Sequence, residues 1–275
     1  MAERRRDIAA PSGTSGASGI PHESAGTPPT TSTPILVLAS ASPRRQELIR
    51  TLGLGVLVRP AHVDETADGS PAELVETLSL RKALAAARQF VDGDSRPLVI
   101  GSDTIVVLDG EVLGKPSGPE DAVRMLARMQ GKTHEVYTGL ACLDAIRLAE
   151  GGTGLAEGLE ALAHPAGRSA PSAPLPPAAE ERLGEIGRFR MWERPRAAVG
   201  HTVSRVTFRP MSRAEIEAYV RTGEPLDKAG AYGVQGIGAV FIEKIEGDFF
   251  SVMGLPLNLL YRVLAAFGVS PFEGS

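Results

Sequence analysis

The sequence predicts an α/β protein, in which apolar strands alternate with amphipathic helices. Residues 36–49 indicate a strand, a tight loop and a helix that begins at Pro43, where a proline fits the first helical turn. The apolar, β-branched run at residues 97–108 is typical of a strand buried on both faces. Apolar residues at helical spacing after Pro71 and Pro119 predict helices that cover the sheet.

The composition favours a globular protein that binds a small charged ligand. The chain has 275 residues, of which 43% are hydrophobic, so it can bury a full core in one or two domains. Its formal net charge of -4 argues against a general nucleic-acid-binding surface. No apolar run approaches the roughly 20 residues of a membrane span, and no apolar segment follows Arg4–Arg6 as in a secretory signal. The single cysteine, Cys142, excludes an internal disulfide and fits the reducing cytoplasm, where we expect the protein.

The loop after the first strand is a candidate anion site. Ser42 is a natural N-cap, and the helix start behind it directs free N–H groups and a positive dipole end beyond the strand. Arg44 and Arg45 add forked donors that suit a polyphosphate. The alternative, a solvated arginine pair beside an ordinary cap, stays open on this segment alone.

Acidic residues follow the second predicted strand. Residues 56–58 begin that strand, and Asp64 and Glu65 come just past its end, where the loops of α/β folds carry chemistry. The helix after them carries Lys82. A solvated lysine is the ordinary interpretation of Lys82 without further context, because most lysines are exposed.

Asp103 interrupts the apolar strand at residues 97–108. A buried aspartate is unfavourable by several kcal/mol unless it is paired, hydrogen-bonded or bound to a metal, so we favour a functional role over a structural one. Asp109 and Gly110 then predict a hairpin turn, whose return strand is able to bring Lys115 back towards the same site.

The second half of the chain predicts further strands and helices. We expect helices at residues 119–129, after the capping residue Ser212 and at 256–267, and strands at 136–143, 199–208, 239–245 and 249–253. Cys142 has apolar neighbours, so we assign it to the core. His134 is interpreted as an ordinary surface or hydrogen-bonded histidine.

Residues 224–238 form the segment richest in glycine and polar residues. Its glycines allow the backbone to approach a ligand closely, while Asp227, Lys228 and Gln235 provide opposite charges and an amide. We interpret it as the wall of a binding site. An ordinary flexible loop is the alternative, and the apolar residues interleaved with the glycines weaken it.

Two segments are expected to be disordered. Residues 1–33 are rich in Gly, Ser, Thr, Ala and Pro without periodicity, so they predict a disordered tail. Residues 144–197, called the insertion segment below, are rich in Ala, Gly, Pro and Glu and interrupt two predicted strands. We therefore expect one domain at residues 34–275, interrupted by a disordered insertion whose removal leaves the core folded.

The candidate residues together indicate phosphoryl-transfer or phosphoanhydride chemistry, in which cations hold phosphates and carboxylates hold Mg²⁺. The cations are Arg44, Arg45, Lys82, Lys115 and Lys228, and the carboxylates are Glu65, Asp103 and Asp227. No nucleophile is implied, so water is the expected attacker, with Asp103 to orient or deprotonate it. The spacing of Gly110 and Gly114 excludes a P-loop, and no dinucleotide-binding glycine motif opens a helix.

Five motifs, in order from about residue 34 to 267, resemble the signatures of the Maf family of nucleoside triphosphate pyrophosphatases. They are Ser40-Ala41-Ser42-Pro43-Arg44-Arg45, Val63-Asp64-Glu65, Gly101-Ser102-Asp103-Thr104, Gly114-Lys115-Pro116 and Glu224-Pro225-Leu226-Asp227-Lys228-Ala229-Gly230-Ala231-Tyr232-Gly233-Val234-Gln235-Gly236. The resemblance implies a mixed, twisted sheet with flanking helices, in two lobes around a deep cleft similar to that of inosine triphosphatases. It implies hydrolysis of a nucleoside triphosphate to the monophosphate and pyrophosphate with a divalent metal, Mg²⁺ or Mn²⁺.

The resemblance also implies a role for each matching residue. Asp103, Glu65 and Lys115 would be catalytic, and Asp103 and Glu65 would hold the metal. Substrate would contact Ser40, Ser42, Arg44, Arg45, Lys82, Thr104, Asp227, Lys228 and Gln235. In the family, residues equivalent to Arg44, Thr104 and Gln235 accompany a preference for dTTP and UTP, so this sequence resembles that type.

A second function stays open beside the enzyme. The family's association with arrest of cell division makes a nucleotide-binding regulator with little or no turnover the alternative. Canonical and modified triphosphates are both open as the physiological substrate, and so are a monomer and a homodimer. We expect neither a nucleic-acid nor a membrane partner.

Overall fold

A mixed β-sheet forms the centre of the fold in this computed structural model, which describes residues 34–90, 97–145, 153–164, 178–192 and 196–272. The predicted tail, residues 1–33, lies outside the described residues. The strands of the sheet are β1 (Ile35–Leu38), β2 (Val56–Val58), β3 (Pro97–Leu108), β4 (Glu111–Leu113), β5 (Thr133–Asp144), β6 (Ala179–Arg182), β7 (Gly187–Trp192), β8 (Ala197–Phe208) and β9 (Ile242–Glu246). The helices are α1 (Pro43–Arg50), α2 (Pro71–Ala87), α3 (Pro119–Met129), α4 (Thr153–Ala163), α5 (Arg213–Arg221), α6 (Phe249–Met253) and α7 (Leu257–Ala266).

Within the described residues the strand order is β2-β1-β3-β5-β8-β7-β6, with β4 beside β3 and β9 beside β8. Strands β2, β1 and β3 are parallel, whereas the other pairs are antiparallel. The predicted α/β class with a mixed sheet and flanking helices is confirmed. In the part of the chain that the structure describes, no helix is long and apolar enough to cross a bilayer.

Helix starts follow the predicted capping residues. The Ser42 hydroxyl accepts a hydrogen bond from the Arg45 N–H at 3.5 Å, and Pro43 occupies the first turn of α1. Ser212 and Glu215 form a capping box at the start of α5, in which each side chain bonds the other residue's backbone N–H. These local signals explain why the helix starts were predictable from sequence.

Alternate residues of the central strands pack on opposite faces of the sheet. Leu98 and Ile100 face α1 and α7, whereas Val99 between them faces α2 and α4. The C-terminal halves of β3 and β8 and the N-terminal half of β5 contribute to a further core around Phe208, packed against α3 and α5. Cys142 is fully buried on the α7 side, as predicted.

Helix α2 crosses the sheet unusually closely because two strand residues are glycines. A Cβ atom added to Gly101 of β3 would overlap the carbonyl oxygen of Ser79, and one added to Gly139 of β5 would overlap that of Val75. The helix backbone therefore lies almost against the strands. This close approach brings Lys82, three residues after Ser79, over the middle of β3.

The sheet is split beside the middle of β3. Its parallel partner β1 ends where Leu38 lies opposite Ile100, and its antiparallel partner β4 ends where Leu113 lies opposite Val106. Between these points, residues 101–105 have β5 on one side and no described strand on the other. The loop that leaves β1 passes this gap, so the gap positions the candidate site.

The insertion segment is not wholly disordered, which corrects the prediction for its described parts. Helix α4 and strands β6 and β7 lie inside it, and β7 pairs with β8 from Gly187 opposite Thr202 to Trp192 opposite Ala197. Phe189 is 1% exposed. The composition argument failed because a few buried residues, spaced within a polar and Ala-rich stretch, suffice to dock it. Residues 146–152, 165–177 and 193–195 lie outside the described residues.

Of two strands predicted near the C-terminus, the one at 239–245 is present but begins only at Ile242, and the one at 249–253 is wrong. Residues Ile237–Phe241 form a 3-10 turn before β9, and Phe249–Met253 form helix α6 instead of a return strand. The aromatic residues of α6 favour a strand locally. The Asp248 side chain outweighs that preference, because it accepts a hydrogen bond from the Phe250 N–H at 2.9 Å and caps the helix.

Candidate active site

The centre of the candidate site is one ammonium group shared by two carboxylates. Lys82 Nζ lies 2.6 Å from Asp103 Oδ1 and 2.9 Å from Glu65 Oε1. The Lys82 and Asp103 side chains are 10% and 12% exposed, whereas that of Glu65 is 61% exposed. Lys82 is thus the partner that a buried aspartate at this position was expected to need.

These contacts join three separate elements. Asp103 lies on β3 next to the gap, Lys82 lies on α2, and Glu65 lies on the loop between β2 and α2. Lys82, whose ordinary interpretation was a solvated lysine, is buried. The structure therefore brings together the predicted catalytic carboxylates from opposite ends of 39 residues of chain.

The charges around Glu65 keep it ionised. The hydrogen bond from Lys82 is the largest influence and lowers the pKa of the Glu65 carboxyl; the charges of Lys115 and Arg45 add to this. Partial burial acts in the opposite direction and is outweighed. Lys115, from the loop after β4, is thus electrostatically linked to the same carboxylate.

Arg45 is held by hydrogen bonds on the opposite face of β3 from Lys82. Its Nε donates to the carbonyl oxygen of Gly254 at 2.7 Å, Nη2 to Thr104 Oγ1 at 3.1 Å and Nη1 to Ser40 Oγ at 3.4 Å. The Ser40 hydroxyl also accepts from the Ser42 N–H at 3.2 Å. Burial lowers the pKa of Arg45, and nearby Asp103 partly offsets that effect.

Thr138 and the α6 terminus belong to this network and were missed by the sequence analysis. Thr138 Oγ1 donates to the Ser251 carbonyl oxygen at 2.7 Å and lies 3.1 Å from Thr104 Oγ1. Ser102 Oγ lies 3.0 Å from the Gly254 carbonyl oxygen. The hydroxyl pattern gave no signal, because the contact depends on α6, which was predicted to be a strand.

Three predicted site residues keep their polar groups available. Within the described residues, the side chains of Arg44, Lys115 and Gln235 make no hydrogen bond or ion pair. Lys115 and Gln235 are exposed, and Arg44 is half-buried. These groups are therefore free to bind a ligand.

Asp227 and Lys228 are instead paired with each other. Lys228 Nζ lies 2.7 Å from Asp227 Oδ1 and 2.5 Å from the carbonyl oxygen of Glu224. Burial opposes ionisation of Asp227, but the Lys228 bond and then the Arg44 charge outweigh it and lower the pKa of Asp227. The Lys228 ammonium thus holds the glycine-rich segment together, while Asp227 remains within reach of the charge of Arg44.

Glu224 organises the glycine-rich segment, a role that sequence reasoning missed. Its carboxylate accepts from the Ile237 N–H at 2.8 Å, the Gly238 N–H at 3.1 Å and the Tyr219 hydroxyl at 2.9 Å. Burial raises the pKa of Glu224, but these donors outweigh it and the pKa is lowered. The carboxylate closes the loop that presents Gln235.

The carboxylates fit a divalent metal of the kind implied for this site. No group of three or more His, Cys, Asp or Glu residues suited to a metal occurs in the described part of the chain. Mg²⁺ commonly uses only one or two protein carboxylates and completes its shell with water and substrate phosphates. Glu65 and Asp103, both within hydrogen-bond distance of Lys82 Nζ, are such a pair.

Comparison with known protein families decides the family. A model described as Maf-like protein matches residues 35–157 and 189–267, which is well over half of the chain. The chain belongs to the Maf-like protein family.

Proteins of this family with an assigned name are similar over most of their length. A protein from Moorella thermoacetica named dTTP/UTP pyrophosphatase is 43% identical over 236 residues, 85% of this chain and 95% of that protein. Relatives with the same name are 41% identical over 241 residues in Symbiobacterium thermophilum, covering 87% and 97% of the two chains, and 36% identical over 239 residues in Bacillus pumilus, covering 86% and 98%.

Between its two ranges, the Maf-like match leaves out part of the insertion segment. Residues 158–188, between the two matched ranges, contain the second half of α4 and all of β6. The three residue groups of the site, around Lys82, Arg45 and Glu224, all lie inside the matched ranges. The insertion therefore adds to the Maf-like core without interrupting any motif of the site.

Proposed function

We propose that this protein hydrolyses nucleoside triphosphates to the monophosphate and pyrophosphate, with dTTP and UTP preferred. The observation that carries the proposal is the bridge from Lys82 Nζ to Glu65 and Asp103 in the gap beside β3. Carboxylates and cations are the groups that phosphoanhydride hydrolysis needs. The name of the relatives, dTTP/UTP pyrophosphatase, supports the same reaction.

Binding of the triphosphate would use the unpaired cations first. Among the described residues, the side chains of Arg44 and Lys115 have no hydrogen bond or ion pair to give up, so they meet phosphate oxygens at the smallest cost. Ser40, Ser42 and the start of α1 add hydroxyl and N–H donors. Arg45, held by three acceptors, keeps this surface in position and adds positive charge.

Asp103 would orient and deprotonate the attacking water. The water oxygen bonds to the α-phosphorus, the bond from that phosphorus to the bridging oxygen breaks, and pyrophosphate leaves with its electron pair. The proton passes to the Asp103 carboxylate. Lys82 fixes Asp103 Oδ1 at 2.6 Å, so the other carboxylate oxygen is available to the water.

Glu65 and Asp103 would hold Mg²⁺ or Mn²⁺ together with phosphate oxygens of the substrate. When bound, the metal neutralises charge on the phosphates. Lys82 contributes positive charge between the same carboxylates.

Base preference is assigned to Arg44, Thr104 and Gln235. Gln235 offers an unpaired amide that both donates and accepts, which suits the polar edge of a pyrimidine. Thr104 is fixed by Arg45 and Thr138, so the surface next to the base is preorganised. We place the reaction in the cytoplasm, with free nucleotides as partners.

The test is product formation from a panel of canonical and modified triphosphates with Mg²⁺ or Mn²⁺. Wild type should release monophosphate and pyrophosphate, fastest from dTTP and UTP. Asp103→Asn should keep the fold and reduce turnover at least about 10²-fold, the usual scale for loss of an acid–base group.

Asp109→Asn is the matched control, because Asp109 lies at an exposed turn of the same hairpin with a positive φ that asparagine tolerates. It should keep wild-type turnover. Release of a diphosphate and inorganic phosphate would contradict the proposed bond cleavage. Tight nucleotide binding without turnover would favour the regulator.

A further inference from the structure

Arg81, the neighbour of Lys82 on α2, makes three contacts that the motifs do not explain. It is 7% exposed. Its Nη1 donates to the carbonyl oxygens of Asp64 at 2.8 Å and Thr66 at 2.6 Å, and its Nε donates to that of Ala163 at 2.5 Å. A buried guanidinium therefore joins two segments that are about 100 residues apart in sequence.

The first segment is the loop that carries Glu65. Asp64 and Thr66 are its immediate neighbours, so Nη1 holds the peptide groups on both sides of the proposed catalytic carboxylate. Residues 59–68 contain no helix or strand. The ion pair of Glu65 with Lys82 is largely exposed on the Glu65 side, and an exposed ion pair alone orders a loop poorly.

The second segment is the end of α4. Ala163 is the last residue of this helix, and carbonyl groups at a helix C-terminus lack intrahelical donors and carry partial negative charge. A cation is the favourable partner there. Leu159 and Ala163 are fully buried against α2, so the helix end is fixed in relation to Arg81.

Both anchoring residues of α4, Leu159 and Ala163, lie between the ranges that match the Maf-like family model. The three carbonyl groups around Arg81 thus connect a part of the chain outside that match to the loop of Glu65. Capping of α4 alone would not account for the hydrogen bonds from Arg81 to the carbonyl oxygens of both neighbours of Glu65.

We propose that Arg81 is a positioning residue that holds the Glu65 loop against the end of α4, so that the insertion segment sets the position of a catalytic carboxylate. The kinetic part rests on the proposed pyrophosphatase function. The ordering of the Glu65 loop by Arg81 does not rest on that function, since it is a property of the loop itself.

The first readout is hydrogen exchange of residues 61–70, which requires no activity. Arg81→Met keeps the aliphatic stem and removes all three donors, so amide exchange in this loop should rise about tenfold or more. Arg88→Met is the matched control, because Arg88 pairs with Glu160 of the same helix α4 but has no hydrogen bond or ion pair with the described residues of the loop. Its exchange in residues 61–70 should equal that of wild type.

The second readout is the steady-state kinetics of triphosphate hydrolysis. Arg81→Met should lower kcat about 10- to 100-fold with little change in KM, the scale seen when a group that orients a catalytic residue is removed. In a Glu65→Gln background the same substitution should cost less than about threefold, because the two changes act through one carboxylate. Arg88→Met should leave kcat unchanged.

Arg81→Lys covers the case in which Arg81→Met does not fold. It keeps the charge but loses the planar fork, so it should fold and show intermediate exchange and kcat. Unchanged exchange in residues 61–70 in the folded variant would overturn the inference, as would an undiminished effect of Arg81 in the Glu65→Gln background. Wild-type protein without turnover would instead overturn the proposed function, while the exchange comparison would still decide whether Arg81 orders the Glu65 loop.

Discussion

Lys82 and Lys115 face the same carboxylate but differ in what else depends on them. Lys82 is the buried partner of Asp103, whereas Lys115 is exposed and makes no ion pair in the described part of the chain. The sequence predicted that Asp103 needs a partner. It did not identify Lys82 as that partner, because the contact exists only once α2 is packed on β3.

The same substitution at these two lysines should therefore separate stability from activity. Lys82→Met leaves a buried carboxylate unpaired and should lower the free energy of unfolding by about 3 kcal/mol or more. Lys115→Met should leave it within about 0.5 kcal/mol of wild type. Both should lower turnover at least about tenfold. Urea unfolding and steady-state kinetics of the two variants provide the comparison; equal stability losses would contradict the buried pair.

His134 links acid stability to the glycine-rich segment. Its Nε2 and the Tyr232 hydroxyl are 2.8 Å apart, its Nδ1 has no partner among the described residues, and burial lowers its pKa to about 4. An unfolded histidine has a pKa near 6.5. The unfolded chain thus binds more protons between pH 6.5 and 4, so this contribution to stability is complete above that range and is lost as pH falls through it.

Lowering the pH from 7 to 5 should therefore cost wild type about 2 kcal/mol through His134 alone. His134→Gln keeps a donor for Tyr232 and should lose that much less stability over the same interval. His62→Gln, at an exposed position, should respond to pH like wild type. Urea titrations at both pH values measure the difference, and parallel pH responses of all three proteins would contradict a neutral buried His134.

Close packing of α2 against β3 places Lys82 at the candidate site. A glycine within a strand can be seen in the sequence. The close packing of the helix that requires a glycine there cannot. Gly101 lies below Ser79 and Ala83, the residues on either side of the turn that carries Lys82. Neither the contact nor the helix orientation follows from periodicity, which specifies only that α2 has apolar residues.

Gly101→Ala should push α2 away from β3. Its Cβ would overlap the Ser79 carbonyl oxygen, so we expect a loss of about 1–3 kcal/mol in the free energy of unfolding. Displacement of Lys82 should also lower turnover about 10- to 100-fold. Gly55→Ala is the matched control, because an added Cβ there meets nothing within 4 Å. Wild-type turnover in a folded Gly101→Ala variant would refute this role for the close approach.

For the whole molecule, the local motifs predicted the α/β class, whereas composition mispredicted the insertion segment. Strand alternation and capping residues are local, so β1, α1, β3 and α5 were expected from sequence. Docking of β7 on β8 depends on which edge of the sheet is free. Similarly, α6 depends on the cap at Asp248, which outweighs the β preference of its aromatic residues.

The docked segment should unfold together with the core. Trp192, the only tryptophan of the chain, lies on β7 and is 2% exposed within the core formed by α2 and α4. Its fluorescence reports on the segment, whereas far-ultraviolet circular dichroism reports on the whole fold. Because Arg190 beside it also pairs with the buried Glu76 of α2 at 2.6 Å, both signals should have the same urea midpoint.

Arg190→Met tests this coupling from the insertion side. It removes a partner of Glu76, so the common midpoint should fall, and the two transitions should remain coincident if the segment and the core form one cooperative unit. Leu264→Ala, on the opposite face of the sheet, should lower both midpoints equally through a core cavity. A fluorescence transition that precedes the loss of circular dichroism in wild type would mean that the segment opens separately. Deletion of residues 151–195 would then leave a folded core, whereas coincident transitions predict that this deletion lowers the melting temperature.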